Sequence, residues 1–108
     1  AISLYALSDE EQLRASLAES ALVVNATNVG YPDDPGCLLT ADLLRPELIV
    51  ADLVYNPRET ELIKLARSCG CKTVDGAGPF VQQAAIAERL WLGREMPVDF
   101  VMETFFGE

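Results

Sequence analysis

The sequence predicts an α/β protein with parallel strands joined by crossover helices and followed by carboxyl-terminal tail helices. Short apolar runs alternate with amphipathic stretches along its 108 residues, the pattern of strand–helix–strand units. Polar or glycine-rich segments follow three of those runs, where the carboxyl ends of parallel strands would lie. Half of the residues are apolar and 23% are charged, a composition that supports a single small core.

Each element has its own signal. Residues 1–7, with Ile2, Leu4 and Tyr5, alternate weakly and read as a strand. Ser8-Asp9-Glu10-Glu11 reads as a capping box with Ser8 as the cap, ahead of a helix of about three turns that buries Leu13 and Leu17. Leu22-Val23-Val24-Asn25 reads as a short strand covered on both faces. Residues 28–39 carry Gly30, Pro32, Asp33, Asp34, Pro35 and Gly36 and read as a loop. Residues 40–45 suit a short helix that stops at Pro46, and residues 48–54 the next buried strand.

Asn56-Pro57 signals a turn. Leu62, Leu65, Ala66 and Cys69 then fall at helical spacing, with Gly70 placed to cap the helix end. Residues 72–75 form the third strand of this run. Gly76-Ala77-Gly78 suits a tight turn, and Pro79 the first turn of a helix that buries Phe80, Ala84, Ala87, Leu90 and Trp91 before Gly93 closes it. Pro97 opens a last helix with Val98, Val101, Met102 and Phe105 on one face. The crossovers between these parallel strands should be right-handed.

Charge and composition exclude several functions. Eight basic residues against seventeen acidic ones leave a net charge of −9, a field that repels phosphate backbones and argues against nucleic acid as a partner. The chain has no histidine, which removes histidine triads and histidine metal sites from within it. Three cysteines are too few and odd for a disulfide framework, so a reducing, cytoplasmic setting is expected. Cys69-Gly70-Cys71 supplies too few ligands for structural zinc, and no metal site is expected. No apolar run reaches the roughly 20 residues a membrane span needs.

The chemistry-bearing segments are Asn25-Ala26-Thr27-Asn28, Tyr55-Asn56-Pro57 and Asp75-Gly76-Ala77-Gly78. Asn, Thr and Tyr bring neutral donors and acceptors suited to an amide, a ribose or a polyol. Small residues such as Ala26 and Gly76 let a ligand approach the backbone. The pattern alone fits equally a ligand site and the ordinary polarity of loops after strands. Asp52, within an apolar run, needs a partner if it is buried.

Three motifs in order carry a family resemblance: Asn25-Ala26-Thr27-x-Val29-Gly30, then Asp52-Leu53-Val54-Tyr55-Asn56-Pro57-x-x-Thr60, then Asp75-Gly76-x-Gly78-x-x-x-x-Gln83-Ala84. Together they resemble the carboxyl half of a shikimate dehydrogenase. Leu44-Arg45-Pro46-Glu47-Leu48 and Gly70-Cys71-Lys72-Thr73 look most like the quinate/shikimate branch. The resemblance implies the later half of a doubly wound Rossmann-like NAD(P)-binding domain over residues 1–108. Such a parent would interconvert shikimate, or quinate, and its 3-dehydro form with NADP or NAD.

The family's catalytic Lys and Asp belong to an amino-terminal domain, and its glycine-rich phosphate turn follows the first Rossmann strand. Neither matches a segment here, so no catalytic residue is assigned to this chain and it is expected to be inactive alone. By resemblance, Asn25, Thr27 and Asn28 would lie along the ribose and nicotinamide side. Leu53, Val54, Tyr55 and Asn56 would pass beneath the nicotinamide, and Gly76 would offer it backbone contact. Tyr55 and Gln83 would reach the substrate, against the plainer readings of a packed strand-end aromatic and a solvated helix residue.

Two positions depart from the family pattern. Pro79-Phe80 replaces the usual Met-Leu, and Asn28 stands where Ser, Pro or Lys is common. The alternative function is a free-standing, non-catalytic nucleotide-binding or assembly module. The doubly wound strand order 3-2-1-4-5-6 has a further consequence. Residues 2–5 would be its third strand and residues 22–25 its fourth, with the two strands between them missing. The 22–25 edge is then unpaired, and either a homodimer through it or displacement of residues 1–7 onto it is expected.

Overall fold

The computed structural model describes residues 1–107. Three parallel strands, β1 (Leu22–Asn25), β2 (Ile49–Asp52) and β3 (Lys72–Val74), lie in the order β1-β2-β3. Four α-helices accompany them: α1 (Glu10–Glu19), α2 (Glu61–Ser68), α3 (Ala77–Leu92) and α4 (Val98–Phe106). The α/β class and the parallel sheet are therefore those expected from the sequence.

Strand alternation decides which side is the core. Val23, Val50 and Thr73 are in register on one face, and Leu22, Val24, Ile49, Ala51 and Val74 fall on the other. The first face joins Leu48, Leu17, Leu39, Leu62 and Ala66 in one buried cluster. The second face is open: Leu22, Val24 and Val74 are 52%, 45% and 47% exposed. This corrects the expectation that residues 22–25 are covered on both sides. A continuous apolar run reports two apolar faces, but not whether an element exists to pack on each.

Residues 1–7 form no strand, which is a second correction. Ile2 and Leu4 are 92% and 91% exposed, and no ladder partner holds the segment in extended form. Asp9 rather than Ser8 caps α1, its carboxylate accepting from the Gln12 amide at 3.1 Å. The helix expected at 40–45 shrinks to a single 3₁₀ turn at Ala41–Leu43. The strand at 48–54 shortens to Ile49–Asp52, because the chain leaves the ladder once Asp52 turns to side-chain partners. Thr60 caps α2 by accepting from the Ile63 amide, and Gly70 takes φ +80° just beyond its end.

Helix α3 begins at Ala77, two residues earlier than Pro79 suggests, and Asp75 accepts from the Ala77 amide at 3.0 Å. Its buried stripe is Ala77, Val81 and Ala85, not the expected line through Phe80, Leu90 and Trp91. Packing explains the difference. Helix α3 lies chiefly against α4 rather than across the strands, and Leu90 and Trp91 remain exposed. In α4 the expected face is half-covered at Val98, Val101 and Met102, but Phe105 is exposed. Among the described residues, no helix is long and apolar enough to cross a membrane.

Candidate functional site

The carboxyl ends of the three strands are tied together by side chains from the predicted segments. Asn25, at the end of β1, donates through Nδ2 to the Val29 carbonyl at 2.9 Å and to Asp52 Oδ1 at 3.0 Å. Its Oδ1 accepts from the Thr27 amide at 3.1 Å and the Thr27 hydroxyl at 2.6 Å. A primary amide has two donor hydrogens and two lone pairs on oxygen. All four are occupied by protein partners, so the Asn25 side chain is an internal brace at the strand ends, where it was expected to lie along a cofactor.

Asp52 is the centre of this brace and is 1% exposed. Its Oδ1 also accepts from the Val54 amide at 3.0 Å, and its Oδ2 from the Thr60 hydroxyl at 2.7 Å. The buried acid in an apolar run thus has the partners it requires. It joins β1, the segment after β2 and the cap of α2. No Lys or Arg nitrogen lies within 4.0 Å of it among the described residues.

Gly76 joins the third strand end to the second. A Cβ at this position would stand 2.6 Å from both the Leu53 and Val54 carbonyl oxygens. Only a glycine permits this approach. Arg58 spans the same region, donating to Asp75 Oδ2 at 3.1 Å and to the Phe106 carbonyl.

The remaining expected site residues divide into two groups. Thr27 and Asn28 are exposed in the turn after β1. The Asn25 and Thr27 side chains border a small apolar pocket of about 110 Å³ with Leu7, Leu38 and Leu62. Leu53 and Asn56 are exposed after β2, while Val54 is buried, so from Val54 only backbone is available to a ligand. Tyr55 is half-buried. It stacks on Phe80 with ring centroids 3.9 Å apart and meets the edge of Tyr31 at 5.6 Å. Phe80 in turn meets Phe106 at 6.2 Å.

An open cleft of about 420 Å³ lies beside Tyr55, bordered by Asn56, Arg58, Phe105 and Phe106. Gln83 is exposed one turn beyond Phe80. Sequence reasoning missed Tyr31, Arg58 and Phe106 as neighbours of Tyr55. The Asp52-to-Thr60 spacing within one motif was the available signal for the brace.

The cysteines lie apart from these groups. Burial, reinforced by the neighbouring Cys69, pushes the Cys71 thiol above its ordinary range. Cys37 is exposed. Because thiolate is the reactive form, iodoacetamide at pH 8 should label Cys37 first and Cys71 at least about tenfold more slowly. Peptide mass mapping over time checks this order.

Known proteins resemble this chain in sequence and fold. Residues 76–104 match the family profile of the shikimate 5'-dehydrogenase C-terminal domain. A shikimate dehydrogenase (NADP(+)) of Listeria monocytogenes is 46% identical over 105 residues, covering 95% of this chain and 36% of that protein. The crystal structure of shikimate 5-dehydrogenase from Listeria monocytogenes in complex with shikimate and NAD superposes with a TM-score of 0.86 at 46% identity, over 94% of this chain and 36% of that one. Quinate dehydrogenase from Corynebacterium glutamicum in complex with NAD gives 0.80 at 40% identity, over 91% and 35%. The chain spans little more than a third of the length of these relatives, and its sheet and helices match part of their Rossmann domain.

Proposed function

We propose, from the premise that this chain belongs to the shikimate dehydrogenase family as a partial-length member, that residues 1–108 are the nicotinamide side of an NAD(P) site. The parent activity is interconversion of shikimate, or quinate, and its 3-dehydro form. The observation that carries this reading is the convergence of all three motif segments on one end of a parallel sheet, with two of them locked by Asn25–Asp52 and the third by Gly76.

The donor set fits a nicotinamide and ribose. Thr27, Asn28, Asn56 and the backbone around Val54 and Gly76 offer neutral amide and hydroxyl partners. Their backbone segments are pre-positioned by the brace, so little ordering is required on binding. When bound, the cofactor supplies the hydride chemistry and the protein supplies orientation. The Phe80 stack sets the plane of the Tyr55 ring and directs its hydroxyl toward substrate. Gln83 adds an amide from α3.

The sequence contains no three-glycine phosphate turn at a helix amino terminus. Its own turnover is therefore expected to be nil. Its affinity for the whole dinucleotide should be weak, with Kd in the millimolar range as an order of magnitude. Backbone amide NMR during titration with nicotinamide mononucleotide tests the site. Shifts at Thr27, Asn28, Leu53, Tyr55, Asn56 and Gly76 are expected, and shifts confined elsewhere overturn the assignment. Reduction of NADP by the purified chain with shikimate would overturn the statement that it is inactive.

A second reading, as an assembly module, is favoured by one observation: the free edge of β1 adjoins the open apolar face at Leu22 and Val24. An unpaired edge is a template for another strand. We expect a homodimer through residues 22–25, opposed by the net charge of −9 on each copy. Dimerisation should accordingly strengthen from 0.05 to about 0.5 M salt as repulsion is screened. Light scattering that reports a monomer at every salt and protein concentration would remove this reading.

A further inference from the structure

The brace at the strand ends contains a charge that the orientation of a ligand does not require. Asp52 accepts three hydrogen bonds and donates none, the pattern of an ionised carboxylate. Its donors are an amide, a backbone N–H and a hydroxyl, all neutral, and the group is 1% exposed. Among the described residues no ion pair includes Asp52, and Arg58 is paired instead with Asp75. An asparagine would keep the bonds from Asn25 and Val54 and lose only the Thr60 acceptor, without the cost of burying charge.

We infer that Asp52 sets the redox-form preference of the site, favouring the cationic oxidised nicotinamide over the neutral reduced ring. The inference rests on the nicotinamide reading above, which lays the ring against the residues that directly follow Asp52. A buried charge without a counter-ion acts over several ångströms, because little water or salt intervenes. Oxidised and reduced rings have nearly the same shape and differ by one unit of charge, so shape discriminates little between them. The carboxylate is a positioning residue by its hydrogen bonds and a specificity residue by its field. It needs no contact with the ring for the second role.

The probes are oxidised and reduced nicotinamide mononucleotide, titrated separately into the chain and followed by backbone amide NMR. The wild-type chain should bind the oxidised form more tightly than the reduced form. Asp52→Asn should lower that preference roughly three- to tenfold, the effect of one charge near 10 Å at an intermediate effective dielectric. Thr60→Val weakens the same network but keeps the charge, and should leave the ratio of the two affinities unchanged. A purely structural role for Asp52 would instead move both affinities together in both variants.

If both forms bind and the ratio is the same in wild type and Asp52→Asn, the field proposal fails and the nicotinamide reading stands. If neither form shifts the strand-end amides, both fail. Should Asp52→Asn not fold, the wild-type preference still decides: equal or tighter binding of the reduced form overturns the inference.

Discussion

Gly76→Ala is expected to destabilise the domain by about 3 kcal/mol, lowering its melting temperature by roughly 15 °C. Glycine is not needed here for its backbone freedom, since φ is −80° and ψ is −7°, values open to any residue. The cause is space. The added methyl would lie 2.6 Å from two carbonyl oxygens, Leu53 and Val54, and a backbone pinned through its Leu53 and Val54 amides to Asn25 and Asp52 cannot yield as a flexible side chain does. Either the start of α3 must lift or the Leu53–Tyr55 segment must shift, and both are parts of the proposed site.

Gly78→Ala is the matched control, because a Cβ there meets nothing within 4 Å. Residing in the first turn of α3, it should stabilise by up to about 1 kcal/mol through reduced freedom of the unfolded chain. Thermal and urea melts of the two variants should therefore move in opposite directions. Equal melting of Gly76→Ala and wild type would mean that the contact between the second and third strand ends is not tight in solution.

The parts of the fold that were legible in the sequence are those with a local cause. Thr60 caps α2 and Gly70 ends it for reasons contained within a dozen residues, so spacing and residue type suffice. The faces were not legible in the same way. Leu22 and Val24 look like core residues because nothing in their own segment tells whether a helix lies over them. Phe80, Leu90 and Trp91 suit one helical stripe, but α3 packs chiefly on α4 rather than on the strands, and Phe80 turns instead to Tyr55.

The site shows the same division. The three motif segments were visible as sequence, and so was the need of Asp52 for a partner. That the partner is Asn25, itself expected to lie along the cofactor side, could not be read from either residue alone. It depends on the parallel register that sets Asn25 opposite Asp52.

That pairing predicts the other large effect. Asp52→Ala removes the one acceptor shared by the Asn25 amide, the Val54 N–H and the Thr60 hydroxyl. Three buried donors are left without a partner, each costing about 1–3 kcal/mol when unsatisfied. Relief from burying the carboxylate offsets part of this sum. A net loss of about 4 kcal/mol follows, a large share of the roughly 5–15 kcal/mol that holds a domain of this size folded. Asp52→Asn keeps an acceptor for Asn25 and Val54 and should lose only about 1–2 kcal/mol.

A double-mutant cycle between Asp52→Ala and Thr60→Val isolates the Oδ2 bond, and the two losses should fall short of additive by about 1 kcal/mol. Hydrogen exchange then separates global from local damage. In Asp52→Ala, the Val29 and Thr27 amides should lose protection before the buried amides of β2 do, because they donate to Thr27 and Asn25, and Asn25 is tied to the sheet end through Asp52. Equal loss across the sheet would instead mean that Asp52 supports the core as a whole. Loss confined to the turn makes it the residue that holds the strand-end segments of the proposed site in place.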